Sequence, residues 1–175
     1  IPHGIYDVNT NTGYVTLGTG KDTSEFVCDN LYRVWVQHLQ YRYPHAHTIM
    51  ILCDGGGSNA CSHHIVKQDL CKLSNILNLN ILMVHYPAYC SKYNPIEHKL
   101  FSHISRSWQG VPFYNIQFVK ELTEKTSTSK GLTVYAEINE KQYMIKRQVD
   151  EKFKENYNNQ IIFDDKIKKW NYLIK

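Results

Sequence analysis

Asp54 and Glu97 are the two acids whose surroundings suit them to chemistry rather than to surface solvation. Asp54 closes a short apolar run, residues 48–53, and three glycines follow it. In open α/β sheets, reactive groups collect beyond the carboxyl ends of the strands. A carboxylate in that place suits a divalent cation, because Mg2+ binds oxygen and takes only one or two carboxylates from protein. The competing reading is an Asp that caps a turn beside glycine. Glu97 sits early in a strong helical pattern running from Pro95 to Trp108. At about 100° per residue it falls inside the stripe of Ile96, Leu100, Phe101, Ile104 and Trp108. An acid aimed at the interior needs a partner to stay ionised, and a metal at the sheet edge would be one. Here too a plainer reading competes. Asn94-Pro95-Ile96-Glu97 fits an N-cap, a proline in the first helical position and the Glu of a capping box.

The elements that must hold these acids follow an α/β order. Residues 4–8 and 14–19 are strand-like on either side of a polar turn, which predicts a hairpin. Asp22 and Glu25 read as an N-cap and its capping-box partner, and a helix is expected over about 23–39. The unbroken run 48–53 reads as a central strand covered on both faces. A helix about 62–75, a second buried strand at 80–86 and the helix from Pro95 follow. Beyond Gly110 the pattern predicts a helix about 115–125, a strand about 132–138 and a charged helical stretch about 147–157. The closing Trp170-Asn171-Tyr172 reads as a tail that packs or docks. Residues 1–110 are expected to form the core of one domain, and 111–175 its helical and strand extension.

Composition narrows the function classes. No apolar run has the length of a membrane helix, so no membrane partner is expected and a cytoplasmic protein is. Five cysteines without a C-x-x-C pair argue for reduced thiols rather than a disulfide framework. Cys61, His63, His64 and Cys71 lack the paired spacing of a zinc site. The net charge is +4. Residues 71–120 hold Lys72, Lys92, Lys99, Arg106 and Lys120 against the single acid Glu97. An isolated acid among bases suits a metal that must also meet phosphates. The tail 141–175 is basic as well, which fits either solvated surface or contact with DNA.

Three other motifs fail. Residues 55–60 match G-x-G-x-x-A, but no acid follows between 71 and 96 to hold a ribose. No G-K-[ST] completes a P-loop. The S-x-x-K at 127–130 lies in a polar turn.

Taken together, Asp54-Gly55-Gly56-Gly57-Ser58-Asn59, His85-Tyr86-Pro87 and Ser91-Lys92-Tyr93-Asn94-Pro95-Ile96-Glu97-His98 resemble the Rhodopirellula-type DDE transposases of bacterial insertion sequences. The Asn-Pro-Ile-Glu stretch is also similar to the last-acid motif of mariner-like transposases. The resemblance runs the length of the chain. It implies a ribonuclease-H-like mixed sheet flanked by helices, and metal-dependent cutting and joining of DNA. It implies Asp54 and Glu97 as the second and third acids of a triad that binds two Mg2+ or Mn2+ ions. Asn59, His85, Lys92, Asn94 and His98 would be supporting or phosphate-contacting groups. Partners would be transposon ends and target DNA, with a homodimer or larger synaptic assembly. The family's first acid lies on a strand before the hairpin, and neither Asp7 nor Asp22 occupies that position. The expectation is therefore a chain lacking its first acidic strand and inactive alone. Two alternatives remain: a non-catalytic nucleic-acid-binding remnant, and a weaker one, a nucleotide-binding α/β protein using Gly55 to Gly57.

Overall fold

The computed structural model describes residues 1–54, 63–87, 90–167 and 170–175. In chain order the elements are β1 (Pro2–Asp7), β2 (Thr12–Gly18), α1 (Ser24–Val34), α2 (Gln40–Arg42), β3 (Thr48–Cys53), α3 (His64–Leu77), β4 (Asn80–His85), α4 (Ser102–Trp108), α5 (Ile116–Glu124), β5 (Thr133–Asn139), α6 (Glu151–Asn156), β6 (Ile161–Phe163) and β7 (Asn171–Ile174). Two π-helical turns, Trp35–Leu39 and Glu97–Phe101, lead into α2 and α4. The fold is mixed α/β, as expected. The chain divides into two compact units, Ile1–Lys21 with Lys92–Tyr143 and Asp22–Ser91 with Met144–Lys175. No helix among the described residues is long and apolar enough to cross a membrane.

In the first unit β1 and β2 form the expected hairpin, with register from Pro2↔Leu17 to Asp7↔Thr12. Asp7 closes its turn by accepting from the Asn9 N–H at 3.0 Å and the Thr10 hydroxyl at 2.7 Å. β5 joins β2 in parallel, giving the order β1-β2-β5. Val15, Leu17, Val134 and Ala136 of this sheet share a core with Leu100 and Ile104. Two glycines let the helix come close. A Cβ at Gly4 would lie 2.6 Å from the Phe101 ring, and one at Gly13 would collide with the Leu100 side chain. Both glycines lie on one face of the hairpin, since Gly4 pairs with Val15 and Tyr6 with Gly13. At the helix end the Trp108 indole donates to Thr123 Oγ1 at 3.2 Å, tying α4 to α5.

In the second unit β3 runs parallel to β4, and β7 and β6 extend the sheet antiparallel in the order β3-β4-β7-β6. Ile81 and Met83 of β4, Tyr172 and Ile174 of β7, and Val66, Leu70, Cys71 and Leu73 of α3 form its core. α3 stops at Asn78, which takes the left-handed conformation that Asn tolerates better than most residues. An ion pair to buried Asp69 fastens residue 147 to the α1–α3 layer. The Arg147 guanidinium forks onto Asp69, donating to Oδ1 at 3.1 Å and also to Oδ2, while Ser24 Oγ donates to Oδ2 at 2.6 Å. Glu25 lies 3.4 Å from Arg147 Nε. The Asp69 hydrogen bond outweighs burial and raises the Arg147 pKa.

Several expectations need correction. Thr23, not Asp22, is the N-cap of α1: its side chain accepts from the Phe26 N–H at 3.2 Å, and Glu25 faces Arg147 instead of completing a capping box. The helix expected to end near 39 becomes π-helical at Trp35 and ends at Arg42. β3 is not central. It lies at the edge of its sheet among the described residues, and its sides alternate, with Met50 59% exposed and Cys53 buried. The strands also fall into two hydrogen-bonded sheets rather than one among the described residues. The charged stretch becomes helical only at Glu151, after an Asp150 N-cap. The closing tail is strand β7, with Tyr172 buried.

Candidate functional site

Asp54 is the first residue beyond β3, and it is exposed. The strand that carries it is fixed by a parallel register that sets Cys53 opposite His85, and the Tyr86 N–H donates to the Cys53 carbonyl at 2.9 Å. His85 is buried at the same strand ends. Its backbone N–H donates to Asn171 Oδ1 at 3.4 Å, and its Nδ1 bonds the Trp170 carbonyl. A carbonyl cannot donate, so Nδ1 is the donor of this bond. His85 therefore holds the strand end beside Asp54 and ties it to the residues that open β7. Asn59 lies outside the described residues, as do residues 55–60 of the glycine-rich loop and Cys61.

The second acid belongs to the other unit. Asn94 is buried at the head of the helix, and its Oδ1 accepts from the Ile96 N–H at 3.4 Å. The Glu97 N–H donates to the Asn94 carbonyl at 3.1 Å. The capping half of the plainer reading is thus present. Its reciprocal half is not, because among the described residues the Glu97 carboxylate makes no bond back to the Asn94 N–H. Glu97 is exposed, which corrects the expectation that it points inward. The cause is the π-helical turn Glu97–Phe101. Bonding from i to i+5 puts more residues in each turn, so three steps from fully buried Leu100 sweep less angle than in an α-helix. Glu97 then falls farther from the apolar line. Leu100 and Phe101, seated against Gly13 and Gly4, fix the helix that presents it.

Around Glu97 the turn is basic. Lys92 lies in the 3-10 turn Ser91–Tyr93 with its ammonium 5.1 Å from the Tyr93 ring centroid, and its carbonyl bonds His98 Nε2. The Ser102 hydroxyl donates to the His98 carbonyl at 2.8 Å. Lys92, Asn94, Glu97 and His98 are thereby gathered in one turn. Among the described residues no group of three or more His, Cys, Asp or Glu stands ready to hold a metal. Sequence reasoning passed over Lys67, a buried cation whose ammonium lies 5.5 Å from the Tyr172 ring and 6.0 Å from that of Phe163. Only its place on the apolar side of α3, between Val66 and Leu70, signalled it.

The whole sequence, residues 1–175, matches the family described as the Rhodopirellula transposase DDE domain. No curated protein and no solved structure matches the chain. With an acid at a strand end, an exposed Glu at the head of a helix and a family match over every residue, the chain belongs to the Rhodopirellula transposase DDE-domain family.

Proposed function

We propose that this chain is the catalytic core of a DNA transposase that cuts and joins insertion-sequence ends by metal-dependent phosphoryl transfer. The observation that carries this reading is the family match over residues 1–175. On this reading the chain is a ribonuclease-H-like domain, with residues 1–110 its core and 111–175 its extension, working in the cytoplasm. Asp54 and Glu97 together hold Mg2+ or Mn2+, two ions in the working enzyme. The donor chemistry fits, because both carboxylates are exposed and present hard oxygens, with room for phosphate oxygens to complete each shell. Such ions, when bound, activate the attacking oxygen and stabilise the leaving one.

The protein's own groups position and neutralise. His85 holds the strand end that carries Asp54. Asn94 and His98 shape the turn that presents Glu97, and exposed Lys92 offers a contact to phosphate. Transposon ends and target DNA are the partners, gathered in a homodimer or larger synaptic assembly. Electron paramagnetic resonance during a Mn2+ titration tests the site. Asp54→Asn and Glu97→Gln should each weaken binding at least about tenfold. Unchanged binding in either variant would remove that acid from the site.

A second reading is a nucleic-acid-binding remnant without catalysis. It is favoured by the basic stretch 71–120, where Lys72, Lys92, Lys99, Arg106 and Lys120 stand against the single acid Glu97. It requires salt-sensitive DNA binding that survives both Asp54→Ala and Glu97→Ala, together with no metal response.

A further inference from the structure

We propose that Phe113 and Tyr114 form a stacking platform for an unpaired nucleobase of DNA, an inference that rests on the DNA-transposase reading above. Both rings stand in the connection between α4 and α5, with Phe113 54% and Tyr114 77% exposed. They are nevertheless held in place. Phe113 meets Trp108 edge to face at 5.5 Å, and Tyr114 meets Phe118 in the same manner at 5.7 Å. The Trp108 ring and the Phe118 backbone are anchored in turn. The Trp108 indole bonds buried Thr123, and the Phe118 N–H donates to Asn115 Oδ1 at 2.8 Å. Rings fixed by their neighbours lose little freedom when another ring covers them.

The surrounding charge selects the occupant. From 98 to 120 the sequence has no acid, and it has Lys99, Arg106, Lys120, His98 and His103. Lys120 is paired with Glu124 at 3.2 Å. Lys99 and Arg106 are exposed and carry no ion pair among the described residues. Ser102, Arg106 and Gln109 are all exposed and follow one another at i, i+4 and i+7, so one helix face leads from the cationic stretch to the aromatic loop. Cations that track phosphates beside aromatics that stack bases are the recipe for single-stranded DNA. Every base has a flat face, so the platform would take an unpaired base without reading its identity. Exposed Lys99 and Arg106 favour a phosphate-bearing partner over a protein surface.

The test uses the whole chain and a DNA duplex with a short single-stranded overhang carrying 2-aminopurine, labelled with fluorescein at its far end. Anisotropy at low salt reports binding, and 2-aminopurine emission reports stacking. Binding should quench the emission. The double variant Phe113→Ser with Tyr114→Ser should lose the quench and bind the overhang DNA roughly 5- to 100-fold more weakly, with blunt-duplex affinity unchanged. Tyr114→Trp alone should keep the quench. Because both side chains are exposed, the circular dichroism spectrum of the double variant should match that of the parent. Equal quenching by parent and double variant would overturn the platform and leave the DNA reading standing. No binding by the parent at low salt would overturn both. Self-association that the double variant abolishes, without any quench in the parent, would make the rings a contact between copies and also overturn the proposal.

Discussion

At the residue scale, burial and pairing decide what each polar group does. Asp69 is buried and satisfied by Arg147 and Ser24, so removing the guanidinium strands a charge. Arg147→Met should cost about 3–5 kcal/mol in urea unfolding. A loss below about 1 kcal/mol would show that the pair is solvated. The Cys71 thiol is pushed up from 9.0 to about 11 by burial against its core neighbours. The unfolded chain loses that proton first, so this contribution is complete below about pH 9 and disappears as pH rises to about 11. The stability difference between the parent and Cys71→Ala should therefore shrink by about 2 kcal/mol across that window. A constant difference would contradict the burial. The same scale shows what could be read from sequence. The motif residues stood in plain order, and Asn94 capped its helix as expected. The direction of Glu97 did not emerge, because a regular helical wheel has no place for a π-turn. Thr23 and Asp22 are adjacent and both can cap, so composition could not choose between them.

At the element scale, the hairpin, β3, β4, α5 and β5 were legible because each carries an uninterrupted period bounded by turn residues. β6 and β7 were not. They are short, and β6 is three residues long. β7 is a strand through its pairing with β6 and with β4, and β4 is far away in sequence. The approach of the helix to the hairpin was equally hidden, since a glycine in a strand does not announce what will pack on it. Gly13 makes room for Leu100. Gly13→Ala should destabilise the chain by about 1–3 kcal/mol through overpacking, measured by urea unfolding. A neutral substitution would mean that the helix can shift without cost, and that Leu100 does not fix the turn presenting Glu97.

At the scale of the whole molecule, the sequence pattern indicated α/β order but not the partition into two hydrogen-bonded sheets. Nor could it show that the chain passes between compact units at 21–22, 91–92 and 143–144. Those divisions depend on pairings such as β2 with β5, which link distant segments. The proposed metal site requires Asp54 and Glu97, far apart in sequence, to share a cation. Fe2+ substituted for Mg2+ tests it directly: with ascorbate and peroxide, hydroxyl radicals cut the backbone beside the bound ion. The chain should be cleaved both next to Asp54 and next to Glu97, and Asp54→Asn should abolish the two sets of cuts together. Cleavage near one acid only, or cuts near Glu97 that persist in Asp54→Asn, would show that the two carboxylates do not share a cation.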